Sequence, residues 1–156
     1  MGIETWGSEE QTAAFQIAST CACANLRKTA RAVSHLYDKT FRPVGLRATQ
    51  FALLVAVRLL GPVTVNRLAE AAIMDRTTLT RNLRPLEREG WVQIERGRED
   101  RRLREVSLSA EGRTVLSEAM PLWREAQTKI ADGMGRDRLE EMVENLTLAT
   151  QAARGE

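Results

Sequence analysis

The sequence predicts a mainly α chain with one small β-hairpin, an α+β arrangement resting on three observations. Apolar residues recur at spacings of three and four over long stretches near both ends, the pattern of helices with one buried face. Thr64, Asp75 and Ser109, all capping residue types, each stand just before such a stretch. Two short runs, Trp91–Ile94 and Leu103–Val106, flank a polar stretch containing Gly97, as strands flank a hairpin tip.

Taken in order, the first eight or so residues lack periodicity and are expected to form a loose tail. From about residue 10 an alanine-rich helix is expected, with Cys23, Leu26, Ala30, Val33 and Tyr37 on one face. That face is long for a single globular helix and suggests packing against a partner. Pro43 and Gly45 end it. The run from Phe51 to Leu60 reads as a short buried helix stopped by Gly61-Pro62. Thr64 caps a helix through Ala71 that turns Leu68 inward, and residues 72–74 make a short turn. Asp75 caps the next helix, where Thr78 stands at the third position and lacks the longer side chain that closes the usual capping box. Leu79, Leu83 and Leu86 line its buried side, and Gly90 ends it. Pro85 inside this helix removes a bond to Arg81, so a bend or a tightened last turn is expected. After the hairpin, Ser109 caps a long helix from Ala110, and a Gly133/Gly135 break separates it from a last helix near Asp137. Met142, Leu146 and Ala149 give that last helix its apolar face.

With 156 residues, 43% of them hydrophobic and 28% charged, the chain is expected to form one domain with a real core, residues 1–156. No stretch of eighteen apolar residues or secretion-signal pattern occurs, so a cytoplasmic address with no membrane partner is expected. Cys21 and Cys23 lie too close together to staple a loop, and His35 is the only histidine, so no metal or cofactor site is expected. The absence of a grouped His/Asp/Glu/Cys constellation or a glycine-rich phosphate loop argues against an enzyme. Charge is unevenly spread. Residues 76–104 hold nine arginines against five acids, a balance of +4; residues 105–156 hold six basic side chains against ten acids, or −4. Such clustering is the footprint of a phosphate-touching surface.

The order helix, short turn, helix, hairpin over residues 64–108 matches a helix-turn-helix with a wing. The second helix then enters the major groove and offers Arg76, Thr77, Thr78 and Arg81 to base edges. Its N-terminal N–H groups suit a phosphate. Arg84 and Arg88, further along, suit backbone contacts. The hairpin tip brings Arg96, Arg98, Arg101 and Arg102 to a minor groove, with Asp100 placed to hold the Arg102 guanidinium.

Residues 63–116 closely resemble the multiple-antibiotic-resistance regulator (MarR) family of bacterial winged-helix repressors. The pattern stands here as Thr64-Val65-Asn66-Arg67-Leu68-Ala69-Glu70, then Asp75-Arg76-Thr77-Thr78-Leu79-Thr80-Arg81, then Leu86-Glu87-Arg88-Glu89-Gly90-Trp91-Val92. Asp100-Arg101-Arg102 and Val106-Ser107-Leu108-Ser109-Ala110-Glu111-Gly112 complete it. Arg47 stands where the family often has a capping Thr or Ser, and Pro85 is not its commonest choice. The resemblance implies a winged helix-turn-helix lobe at 48–108 and an obligate homodimer held by helices over 10–40 and 110–153. It also implies a palindromic duplex operator and a small aromatic or acyl effector. Arg31, Tyr37, Phe51 and Trp123 are the candidate pocket residues.

A second implication concerns Cys23, with Tyr37 fourteen residues on, a spacing similar to the organic-hydroperoxide-sensing branch. On one helix the pair would be about 21 Å apart, so they would meet only across a dimer. That branch carries a further tyrosine where this chain has Arg27, which is one turn from Cys23 and suited to stabilising a thiolate. Cys21 points away from Cys23 and would resolve an oxidised Cys23 of another subunit. The alternative for Cys23 is a small buried apolar residue. A winged helix serving as a protein-interaction or architectural module is the remaining alternative, and the arginines at helix start and hairpin tip argue against it.

Overall fold

A computed structural model describes residues 7–97 and 100–155. The chain divides between Leu36 and Tyr37 into two units.

The first unit contains α1 (Ser8–Thr20) and most of α2 (Ala22–Thr40). The single long helix read from the periodicity is therefore two, broken at Cys21 with φ −66° and ψ 111°. The cause is local. Ser19 and Thr20 turn their hydroxyls back onto the Gln16 carbonyl, at 3.0 and 2.7 Å, and compete with the helix ladder. The Asn25 amide then donates to the Cys21 carbonyl at 2.9 Å and secures the new start. α1 buries none of its residues, and Phe15, Ile17 and Leu26 are exposed.

The second unit holds the core. A 3-10 turn (Arg42–Val44) and Gly45, at φ 70°, lead into α3 (Ala48–Leu60). Arg47 supplies no capping side chain; Gln50 accepts its N–H at 2.8 Å, and Asp38, ten residues upstream, accepts that of Ala48 at 2.7 Å. Next come β1 (Val63–Thr64), α4 (Val65–Ala71), α5 (Arg76–Arg88), β2 (Val92–Arg96), β3 (Arg104–Leu108), α6 (Ala110–Met134) and α7 (Arg136–Arg154). The sheet is antiparallel in the order β1-β3-β2, with Val63 opposite Val106 and Ile94 opposite the same residue on the other side. β1 has only two residues, too few to show an alternating pattern.

Leu54 of α3, Leu68 of α4, Leu79, Leu83 and Leu86 of α5, and Val92 and Val106 of the sheet form one buried cluster. Each such side chain contributes roughly 1.5–3 kcal/mol by burial. α5 spends one face on this core, which fixes its other face outward.

The same backbone device ends both helices of the helix-turn-helix. After α5, Gly90 takes φ 74°, its N–H reaches the Glu87 carbonyl and the Trp91 N–H reaches that of Leu86. The last turn is tightened there, and α5 runs through Pro85 without interruption. Trp91 thus closes the helix, and β2 starts one residue later than the sequence predicts. After α4, the N–H groups of Ile73 and Met74 reach Glu70 and Ala69 in the same way, with Ile73 at φ 51°. A β-branched side chain in this left-handed conformation costs roughly 1–2 kcal/mol. Ile73→Gly is therefore expected to raise stability by about 0.5–1 kcal/mol after the entropy cost of glycine, read as a higher urea midpoint. An unchanged or lower midpoint would mean that the exposed isoleucine side chain makes up the difference.

Of the two glycines expected to separate the last helices, only Gly135, at φ 94°, does so; Gly133 remains inside α6. α7 buries no residue, and Val143, Leu146 and Leu148 are exposed.

Candidate nucleic-acid interface

With Leu79, Leu83 and Leu86 facing the core, helical geometry turns Arg76, Thr77, Thr80, Arg81 and Arg84 outward. They line an open hollow of about 450 Å³. Among the described residues none of these three arginines takes part in an ion pair, so their guanidinium donors face solvent. Thr80 was not among the predicted reading residues, although its spacing from Thr77 and Arg84 on the exposed side marks it. Arg88 is exposed one turn beyond Arg84, its Nε 3.7 Å from Glu89.

Thr78 departs from its predicted place. Asp75 Oδ1 accepts the Thr78 N–H at 2.8 Å, and the Thr78 hydroxyl donates to Asp75 Oδ2 at 2.6 Å. Thr78 thus donates twice to the capping carboxylate, and its hydroxyl is committed within the protein. The same carboxylate occupies the α5 N-terminus that was expected to suit a phosphate. The Thr78 side-chain bond, then its main-chain bond, hold the Asp75 pKa below the ordinary carboxylate value. The folded state thus binds fewer protons here than the unfolded one. The cap's contribution is complete above the unfolded pKa and is lost as pH falls through the lower, folded one. In an NMR titration, Asp75 is expected to titrate below the unperturbed aspartate value, and Thr78→Val, which removes the hydroxyl donor, to move it up. A titration unaffected by Thr78→Val would show the hydroxyl bond to be unimportant.

Residues 100–103 make a tight turn, the Leu103 N–H reaching the Asp100 carbonyl at 3.0 Å, and the Gly97 N–H reaches the Leu103 carbonyl at 2.9 Å. This turn takes up Leu103, so β3 begins at Arg104. Asp100 Oδ1 accepts the main-chain N–H of Arg102 at 2.8 Å, and not its guanidinium as predicted. Its carboxylate stabilises the turn, and Arg101 and Arg102 are exposed beside it. Arg98 lies outside the described residues. The register places Arg96 opposite Arg104 and, one residue on, Glu95 opposite Glu105. Successive side chains point to opposite faces of a strand, so the hairpin has a basic face and an acidic one. The basic pair continues the face that carries Val92 and Val106. Like charges directly opposite destabilise a hairpin, and an anion against the basic face relieves that repulsion.

The candidate effector residues of the second unit fall in two settings, groove and core. Trp123 lines a groove of about 620 Å³ between α6 and α7, with Arg124, Gln127, Arg136, Leu139 and Val143 among its neighbours. The Tyr37 hydroxyl hydrogen-bonds Gln127, and burial raises the Tyr37 pKa. Phe51 instead sits in the core, its ring 4.7 Å from that of Phe41, because its turn of α3 faces inward. Arg31 is exposed on α2 in the first unit. Cys21 and Cys23 are free thiols. Cys21 is half-buried at the α1–α2 break, and Cys23, predicted on a packed stripe, is exposed in the first turn of α2 with Arg27 one turn on.

Residues 46–103 match the sequence profile of the MarR family. YwoH, an uncharacterized HTH-type transcriptional regulator of Bacillus subtilis, is 31% identical over 86 residues, a match spanning 55% of this chain and 62% of that protein. The crystal structure of the M. tuberculosis transcriptional regulator MosR in complex with DNA is 38% identical, with a TM-score of 0.74 over 86% of this chain and 98% of that one. A MarR variant of E. coli complexed with operator DNA shares the fold at 20% identity, with a TM-score of 0.76 over 85% of this chain and 96% of that one. The winged helix-turn-helix architecture, the arginine-lined outer face of its second helix and these matches lead to one assignment: the chain belongs to the MarR family.

Proposed function

We propose that the protein is a sequence-specific, duplex-DNA-binding transcriptional regulator, a repressor that acts as a homodimer on a palindromic operator. The observation that carries this reading is the outer face of α5, where Arg76, Arg81 and Arg84 make no ion pair among the described residues and surround a hollow open to solvent. A side-chain set of guanidinium forks and threonine methyls suits guanine edges and thymine methyls in a major groove. Arg84 and Arg88 take backbone phosphates, and Arg96, Arg101 and Arg102 follow a minor groove. The relative crystallised with DNA supports the same partner. Two helices that bury nothing, α1 and α7, with apolar side chains left exposed, support a second copy as their cover. A small aromatic or acyl effector suits the groove beside Trp123, where apolar Leu139 and Val143 stand among Arg124, Arg136, Glu140 and Glu144.

Selection from a random duplex pool tests this reading. The purified protein is expected to enrich one palindrome with half-sites a helical turn, or a multiple of it, apart, and to sediment as a dimer at micromolar concentration. Enrichment of no sequence, or a stable monomer, would overturn it.

The exposed thiol of Cys23 carries a second reading, release of DNA by a hydroperoxide. Operator release by oxidised wild type but not by Cys23→Ser would favour it over the effector; unchanged binding after oxidation would exclude it.

A further inference from the structure

A second basic cleft lies away from the reading residues. Its volume is about 270 Å³, and its walls come from the first turn of α3 and the C-terminal half of α5: Arg47, Thr49, Gln50, Asn82, Pro85 and Arg88. No carboxylate lines it. Each cleft arginine has one carboxylate at the edge of ion-pairing distance. Asp38 accepts the Ala48 N–H at 2.7 Å and stands 3.9 Å from Arg47, and Glu89 stands 3.7 Å from Arg88. Both ion pairs are loose, and both arginine side chains are more than three-quarters exposed, at 76% and 78%. Such pairs contribute little to stability. Two cations that line one cleft from separate elements suit an anion that touches both.

The position of the cleft identifies that anion. Arg88 follows Arg81 by seven residues, about 10 Å along the helix axis. A helix whose N-terminal half lies in a groove roughly 12 Å wide carries its C-terminal half past the groove wall, where phosphates stand instead of bases. We propose that this cleft is a second phosphate site, in which Arg47 and Arg88 together grip a backbone phosphate of the duplex beyond the base pairs that α5 reads. The proposal rests on the DNA-binding reading above. Guanidinium groups match a phosphate through paired hydrogen bonds, and Gln50 and Asn82 offer further polar groups. A contact of this kind raises affinity without choosing sequence.

The test measures full-length Arg47→Ala, Arg88→Ala and Arg81→Ala proteins against a duplex selected by the wild type and against a scrambled one, over a range of salt. Arg47→Ala and Arg88→Ala are each expected to weaken both duplexes by a similar factor, about 5-fold, and to reduce the salt slope by about 1. Arg81→Ala instead lowers the ratio between the duplexes. Thermal melting serves as the folding control, since both cleft arginines are exposed. If the Arg47/Arg88 double variant keeps wild-type affinity and slope while Arg81→Ala loses selectivity, the cleft proposal fails and the DNA-binding reading stands. A loss confined to the selected duplex would make the cleft a base-reading site and overturn the proposal. Wild type that binds neither duplex would overturn both. Inorganic phosphate is the second probe: if it fills the cleft at millimolar concentration without weakening DNA binding, the site takes a free anion and not the duplex, and the proposal fails.

Discussion

Gly112→Ala is expected to destabilise the second unit by about 3 kcal/mol or more, a large share of a typical domain's stability. A Cβ on Gly112 would stand 1.9 Å from the Trp91 carbonyl oxygen and 2.8 Å from its carbon. The obstacle is main chain and has no rotamer with which to retreat. Trp91 is also tied on both sides: its N–H reaches the Leu86 carbonyl at 2.8 Å, and its own carbonyl accepts the Ser109 N–H at 3.1 Å. Ser109 tightens the same joint, its hydroxyl donating to the Gly90 carbonyl at 2.6 Å and accepting the Gly112 N–H at 2.8 Å. Adding one methyl therefore forces the start of α6 away from the α5–β2 junction. Gly133, in the same helix with nothing within 4 Å of an added Cβ, is the internal control. Alanine there is expected to stabilise by about 1 kcal/mol through helix propensity alone. Opposite signs at the two glycines, read from urea midpoints with unchanged slopes, would establish the close approach. Equal signs would refute it.

Arg81→Ala is expected to cost about 1–3 kcal/mol of discrimination between the selected operator and the same duplex with one base pair changed. Arg81 lines the hollow on α5, about one and a half turns from the end that Asp75 caps. Its guanidinium makes no ion pair among the described residues, so the substitution breaks nothing inside the protein. Arg81→Lys separates charge from shape. An ammonium group keeps the attraction to phosphates but lacks the planar fork, so it is expected to retain non-specific affinity and lose discrimination. Wild-type selectivity in Arg81→Ala would move base reading off this face.

What was legible in the sequence was local. Thr64, Asp75 and Ser109 each accept an N–H three residues ahead, and that bond depends only on nearby chain. The outward face of α5 follows from three leucines at helical spacing. The features that escaped depend on distant partners or on competition between close alternatives. Asp38 caps α3 from ten residues away in place of the unsuited Arg47. β1 exists because β3 offers an unpaired edge to two residues. Phe51, aromatic and near a predicted pocket, is claimed by Phe41 for the core. Thr78, expected to face base edges, commits its hydroxyl to the Asp75 carboxylate, and Asp100 holds the main-chain N–H of Arg102 and not its guanidinium.

The two-faced hairpin bears on how fast a complex forms, apart from how tightly it holds. With Arg96 and Arg104 on one side and Glu95 and Glu105 on the other, the wing carries a charge separation across its own thickness. In the field of a polyanion such an object feels a torque. A duplex arriving at the acidic side is repelled, and one arriving at the basic side is drawn in, so the field turns the wing before contact. Steering of this sort acts on the encounter rate and fades with added salt. The carboxylates that a static contact list would score as unfavourable thus narrow the range of productive approach, and neutralising them admits more collisions from the wrong side.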